Sequence, residues 1–214
     1  MKTCCPECRG SLEGARCLGC HRLWPSAKGF ADLRVPSAPP EEVAYFDYHA
    51  VDRKARMGRS EGLAPAVTRH ISEEILRMNV SLLPDLEGRD LLEVGCGLGH
   101  LTRALCAKGA RVHAVDYSPA SLEAAAAAVP EASFALADAR SLPFPDAAFD
   151  VAVSSEVIEH VPETGRFLSE LRRVLRPGGV LVLSTPNGNM LLHPMGLASG
   201  LLRPGFYRRR WEGK

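Results

Sequence analysis

The sequence predicts an α/β protein in which a doubly wound, mostly parallel sheet of about five strands follows a small cysteine-rich module. Three features carry that prediction. Strand-like and helix-like segments alternate between residues 90 and 185, a glycine-rich turn joins the first strand to its helix, and two Cys-x-x-Cys pairs fall within the first twenty residues. Alternation implies parallel strands covered by helices on both faces, because each crossover must bring the chain back to the same end of the sheet.

At the N-terminus, Cys5-Pro6-Glu7-Cys8 and Cys17-Leu18-Gly19-Cys20 are eight residues apart. That is enough for a hairpin bringing four thiolates to a tetrahedral Zn²⁺, with a redox disulfide as the alternative use. Cys4 lies outside the spacing. Residues 1–35 are too few to bury a core unaided, so a structural metal would supply folding energy to this zinc-ribbon-like module. The run Val35-Pro36-Ser37-Ala38-Pro39-Pro40-Glu41-Glu42 cannot continue a helix or a central strand, and residues 36–62 read as a linker and a lid segment.

Val67, Ile71, Ile75, Met78 and Leu82 then recur at helical spacing until Pro84. The core, residues 63–187, continues through strand Asp90–Val94, helix Leu98–Lys108, strand Arg111–Asp116 and helix Pro119–Val129. Strands Ser133–Ala137 and Asp150–Ser154, helix Glu163–Leu175 and strand Gly179–Thr185 complete it. Gly109 stops one helix, Ser118-Pro119 caps the next, and Pro177-Gly178-Gly179 turns the chain into the last strand. Residues 188–214 read as a helical stretch broken by Pro194 and Pro204, then the basic tail Arg208-Arg209-Arg210. Without further strands, the edge of the fifth strand must be covered by the tail or by a second copy in a homodimer; truncation of a longer chain accounts for the shortfall equally well.

Composition narrows the function classes. With 46% hydrophobic and 24% charged residues and a mean hydropathy of -0.05, the chain is neither disordered nor fibrous. No stretch approaches a membrane span, the N-terminus lacks a signal-peptide apolar region, and seven cysteines suit thiol or metal chemistry better than a disulfide framework. The expectation is a cytoplasmic protein. Its net charge of +1 divides into a basic head, an acidic body and a basic tail, which would suit an anionic partner such as RNA, although scattered surface arginines explain it without one.

The densest signal is Glu93-Val94-Gly95-Cys96-Gly97-Leu98-Gly99, three glycines at alternate positions where a strand meets a helix. Such a turn lets a ligand approach the backbone closely. Asp116 ends the next strand, 21 residues beyond Gly95, and Asp138 follows the third. Carboxylates at those strand ends can hold ribose hydroxyls, while nothing here is dedicated to phosphate, so the residues point to a nucleoside-type cofactor without a pyrophosphate. Cys96 and Cys106 read as packing residues.

These segments resemble the class I S-adenosylmethionine-dependent methyltransferases, of a type 11-like kind, over roughly residues 63–187. The likeness rests on the glycine loop, Val115-Asp116-Tyr117-Ser118, Ala137-Asp138-Ala139-Arg140 through Asp146, Phe149-Asp150-Val151-Ala152-Val153 and Leu175-Arg176-Pro177-Gly178-Gly179. It implies a Rossmann-like sheet that normally has seven strands, so the final ones would be absent here. It also implies that Gly95, Gly97 and Gly99 pass under the methionine portion of S-adenosyl-L-methionine and that Asp116, with Tyr117 beside it, holds the ribose. Asp138 and Ala139 would flank the adenine, Glu93 would lie near the methionine amino group, and Ser155 would border the cofactor. The cysteine module resembles the N-terminal zinc ribbons of some bacterial methyltransferases, including ones that act on ribosomal RNA.

The segment after the fourth strand, Ser154-Ser155-Glu156-Val157-Ile158-Glu159-His160, should face the transferred methyl group. If helical, Glu156, Glu159 and His160 share a face, as a proton acceptor for a hydroxyl (Glu159 and His160) or as a site for a divalent cation such as Mg²⁺, with His193 a weaker further ligand. The Glu-x-x-Glu-His pattern resembles the metal motif of small-RNA 2′-O-methyltransferases and segments of ubiquinone-pathway O-methyltransferases. The expected activity is methyl transfer to a small molecule. RNA is the second acceptor class, and a non-catalytic cofactor- or partner-binding scaffold the third reading.

Overall fold

The computed structural model describes residues 3–34, 41–48, 63–186 and 205–210. The cysteine module holds a hairpin, β1 (Leu12–Glu13) and β2 (Arg16–Cys17), then β3 (Ser26–Ala27) and β4 (Phe30–Leu33). A short helix, α1, spans residues 41–48, and α2 runs from Leu63 to Leu82, ending just before Pro84 as the sequence predicts. The core follows the expected alternation: β5 (Asp90–Val94), α3 (His100–Cys106), β6 (Arg111–Asp116), α4 (Pro119–Ala128), β7 (Ser133–Ala137), β8 (Phe149–Ser155), α5 (Thr164–Val174) and β9 (Leu175–Thr185). Ser118 caps α4, its Oγ accepting from the Ser121 N–H at 3.0 Å, with Pro119 in the first turn.

The sheet order is β10-β9-β8-β5-β6-β7-β4-β3, where β10 is Gly205–Arg210. Pairings from β4 through β9 are parallel, which bears out the doubly wound α/β class. Among the described residues the sheet has eight strands, more than the expected five. Part of the surplus comes from the C-terminus: the arginine-rich segment expected as a basic tail pairs antiparallel with β9, Gly205 opposite Thr185 and Arg210 opposite Val180. It thereby covers that edge, the first of the two covers considered. The expected helical stretch 190–202 lies outside the described residues.

The rest of the surplus comes from the cysteine module, which does not stand apart. Asp32 and Leu33 of β4 pair in parallel with Leu136 and Ala137 of β7, and Leu33 is buried. The module's own small core is Cys5, Cys17, Trp24 and Leu33, so the residue that joins the sheet also closes that core.

Both faces of the sheet are buried, as parallel strands require. Leu92, Val94, Val115 and Ala152 point to one side with Phe149, Phe167 and Leu171, while Leu91, Val112, Val151 and Val153 point to the other with Leu101, Leu105 and Leu122. Period-2 alternation in β5 and β8 thus feeds two apolar layers, one under α5 and one under α3 and α4.

A polar knot closes the first layer. Glu170 of α5 is 8% exposed; its carboxylate accepts from Arg173 Nε at 2.7 Å, Arg173 Nη2 at 2.8 Å, the Leu142 N–H at 2.8 Å and Arg9 Nη2 at 3.2 Å. Arg9 Nη1 and Arg173 Nη2 also donate to the Leu142 carbonyl. Burial raises the Glu170 carboxyl, but hydrogen bonds from Arg173 and the charges of Arg173 and Arg9 outweigh it and leave the pKa lowered. Glu170→Ala strands two arginines in a half-buried site and should cost about 3 kcal/mol of unfolding free energy in urea titrations at pH 7. Because the folded-state pKa is depressed, that stabilisation is present above the ordinary carboxyl value of 4.5 and is lost as pH falls below it; the deficit of the variant should shrink on acidification.

Candidate functional site

The carboxyl ends of β5, β6, β7 and β8 lie on one side of the sheet, and the loops leaving them enclose the main cavity. The glycine turn forms its floor. The N–H groups of Gly95 and Cys96 both donate to the Val115 carbonyl, at 2.8 and 3.1 Å, and the Gly97 N–H donates to Asp116 Oδ2 at 2.8 Å. Asp116 Oδ1 accepts from the Ser118 N–H at 2.9 Å. Gly95 has φ 81°, and a Cβ there would meet Val157 Cγ2 at 2.2 Å, so both backbone and packing demand glycine.

Of the expected site residues, Gly95, Gly97, Asp116, Tyr117, Asp138, Ala139, Ser155, Glu156 and His160 line the cavity. Gly99 instead caps α3 with φ 80° and packs against Ala125. Glu93 sits beneath the floor, 2% exposed, accepting from Thr102 Oγ1 at 2.6 Å. Burial pushes its carboxyl up to about 8; the Thr102 hydrogen bond opposes the rise and the Asp116 charge adds to it. Asp138 is gripped by Arg140, whose Nε and Nη2 donate to its carboxylate at 2.7 to 3.1 Å.

The segment after β8 is not the expected helix. Glu156 takes φ 56° with its N–H donating to the Ser184 carbonyl, and only a single 3₁₀ turn follows, Ile158–His160. The i, i+3, i+4 face therefore never forms. His160 lines the cavity, whereas Glu159 accepts from Thr185 Oγ1 at 3.1 Å and is not among the lining residues. Among the described residues, only the four cysteines gather three or more metal-ligating side chains. Glu159 Oε1 and His160 Nε2 are 4.0 Å apart, but Glu156 does not gather with them, which removes support for a second divalent site; His193 lies outside the described residues.

Sequence reasoning placed a lid within 36–62 without naming its contacts. Tyr45 and Phe46 of α1 roof the cavity: the Phe46 ring meets the edges of Tyr117 (5.4 Å between centroids) and His160 (6.1 Å), spanning the mouth. Asp47 Oδ1 accepts from Ser118 Oγ at 2.5 Å and from the Ala120 N–H at 3.2 Å, anchoring α1 to the start of α4. The aromatic run Tyr45-Phe46-Asp47-Tyr48 inside a polar linker was the available signal. Arg140 and Glu42 were missed; Glu42 Oε2 accepts from the Tyr117 hydroxyl at 3.3 Å.

The cysteine group fits a tetrahedral metal. Sγ atoms of Cys5, Cys8, Cys17 and Cys20 all lie within 4.8 Å of one another, with Cys8 to Cys17 at 3.3 Å and Cys5 to Cys20 at 3.8 Å. Zn–S bonds of about 2.3 Å need sulfurs roughly this far apart. N–H groups of Cys20 and Gly19 donate to Cys17 Sγ and draw that thiol down to about 6. Cys4 stands outside the group, its N–H donating to the Pro143 carbonyl.

Comparison with known proteins agrees with this geometry. A family model described as a methyltransferase domain matches residues 92–183. A probable S-adenosylmethionine-dependent methyltransferase of Mycolicibacterium smegmatis is 43% identical over 100 residues, 47% of this chain and 39% of that one. A malonyl-[acyl-carrier protein] O-methyltransferase of Serratia marcescens is 37% identical over 131 residues, 61% of this chain and 50% of that one. The crystal structure of an S-adenosylmethionine-dependent methyltransferase from Mesorhizobium loti superposes with a TM-score of 0.50 at 32% identity, covering 52% of this chain and 53% of that one. The chain spans half or less of the length of these curated relatives.

Glu93 gives the site a pH signature. Its folded-state pKa is raised above the ordinary 4.5, so folding retains a proton, and stability should fall as pH rises from about 4.5 to about 8. Urea titrations across that range should show Glu93→Gln, which has no proton to lose, gaining steadily on the parent and levelling off above pH 8.

Proposed function

We propose that this chain, whose residues 92–183 form a class I S-adenosylmethionine-dependent methyltransferase domain, binds S-adenosylmethionine in the cavity under α1 and methylates a small-molecule acceptor there. The observation that carries the reading is the two-sided lining. Asp116 and Asp138 stand at the strand ends, and Tyr45, Phe46, Val157, Val161 and Pro162 form an apolar roof and far wall.

The cofactor supplies an already activated methyl group, so the protein's task is orientation and exclusion of water. Asp116 accepts hydrogen bonds from ribose hydroxyls while keeping the glycine turn in place. Phe46 and Val157 keep water from the reacting face, and the apolar wall receives the acceptor's carbon skeleton. An oxygen acceptor must lose its proton as it is methylated; the His160 imidazole at the cavity rim takes it. The similar Serratia protein, named as an O-methyltransferase, supports an oxygen acceptor. Among the described residues no helix is long and apolar enough to cross a membrane.

Isothermal titration with S-adenosylmethionine and its demethylated product should give saturable heat, and absence of both heat and thermal shift would sink the proposal. Gly95→Ala should weaken binding at least about tenfold, since the new Cβ must displace Val157 from a strained backbone. Incubation with methyl-labelled cofactor should place label in small metabolites; label confined to RNA would transfer the assignment to that acceptor.

The four cysteines hold a structural Zn²⁺ in this reading. Metal analysis should find one zinc per chain, and a strong chelator or Cys17→Ser should lower the melting temperature by several degrees, with β4 detaching from β7.

A further inference from the structure

The cysteine module touches the nucleoside side of the cavity at three places. β4 pairs with the end of β7, at Leu136 and Ala137, and the chain passes straight from there into Asp138, Ala139 and Arg140 of the cavity wall. Just beyond, the segment 141–143 is tied to the module by Ser141 Oγ donating to the Pro6 carbonyl at 3.0 Å and the Cys4 N–H donating to the Pro143 carbonyl at 2.8 Å. The wall residues 138–140 are thus held at both ends by the module.

The third contact reaches the neighbouring strand end. Arg34, directly after β4, donates from Nη1 to the Tyr117 carbonyl at 3.0 Å and lays its guanidinium 5.2 Å from the Tyr117 ring centroid. Asp32 fixes the guanidinium in place, Oδ1 accepting from Nε at 2.8 Å and Oδ2 from Nη2 at 2.5 Å, with both side chains largely buried. A bidentate pair of this kind has one geometry and lends it to whatever the remaining N–H group holds. Tyr117 in turn follows Asp116, the carboxylate bonded to the Gly97 and Ser118 N–H groups.

We propose that Arg34, oriented by Asp32, is a positioning residue for cofactor binding: it holds the Tyr117 backbone and ring so that Asp116 presents its carboxylate correctly, making the metal-held module part of the cofactor site. The inference rests on the cofactor reading above. It assigns Arg34 no contact with reacting atoms, so it affects affinity and leaves the methyl-transfer step untouched.

The test compares the full-length protein with Arg34→Ala, Arg34→Lys, Asp32→Asn and, as a control on the same module, Arg16→Ala, an exposed cation on β2 that does not line the cavity. Titration with the demethylated product should show about tenfold weaker binding for Arg34→Ala and Asp32→Asn, the loss expected for one charge-assisted hydrogen bond. Arg34→Lys, lacking the fork, should fall between, and Arg16→Ala should match the parent. In turnover, the KM for the cofactor should rise while kcat at saturation stays put. Hydrogen exchange on the ligand-free proteins supplies an independent readout: Arg34→Ala should speed exchange in peptides covering 93–99 and 115–121 and leave α5 unchanged. Affinity within twofold of the parent, unchanged exchange in those peptides, or a fall in kcat at saturating cofactor would each overturn the proposal. A parent protein that binds no cofactor defeats the functional reading instead, and the exchange experiment still decides whether Arg34 holds the Tyr117 segment.

Discussion

The hydrogen bond from the Gly97 N–H to Asp116 is the interaction on which the site depends. It joins the turn after β5 to the end of β6, so the cavity floor and the Asp116 carboxylate are one rigid unit. Parallel pairing makes this possible: β5 and β6 run in register from Asp90 opposite Arg111 to Val94 opposite Val115, and both therefore end at the same height. An antiparallel pair would send the two ends to opposite sides of the sheet. The charge on Asp116 has a further effect below the floor. Together with burial it favours the protonated form of Glu93, so the site carries a neutral carboxyl beneath a charged one.

Around this unit the walls come from elements distant in sequence. α1 contributes an aromatic roof, and the turn after β8 rests Val157 on Gly95. The cysteine module braces the outer strand ends. A segment of some thirty residues has little core of its own, and here Cys5, Cys17, Trp24 and Leu33 form its buried centre, with Leu12, Ala15 and Ala31 packed against them. A metal bound by the cysteines would stabilise the hairpin, and the sheet pairing through β4 would pass that stability to β7. The module is tied to the sheet by the backbone pairing of β4 with β7 and by Arg9 in the Glu170 knot.

What could be read from the sequence was what short-range patterns encode. Glycines at alternate positions after an apolar strand, acids at the next two strand ends and paired Cys-x-x-Cys spacings each act within a few residues, and the strands and helices between 90 and 185 appear where alternation put them. Pairings between distant segments left no such mark. Only Asp32 and Leu33 join β7, too few for a periodicity, and the Arg-rich run that reads as a basic tail is strand β10. The spacing of Glu156, Glu159 and His160 misled because it presumes a helix. Glu156 has a positive φ, and its N–H is committed to the Ser184 carbonyl, so the chain turns before a helical face can form.

The lining also sets which charge state the cavity holds best. Among the described lining residues, Glu42, Asp116, Asp138 and Glu156 face it against one arginine, Arg140, which is bonded to Asp138, and one histidine, His160. A surplus of carboxylate under an apolar roof acts in a poorly screened environment, where each charge counts for more than in water. S-adenosylmethionine carries one more positive charge than its demethylated product. On the cofactor reading proposed above, this excess of carboxylate would favour the charged cofactor over its uncharged product through the field of the whole lining.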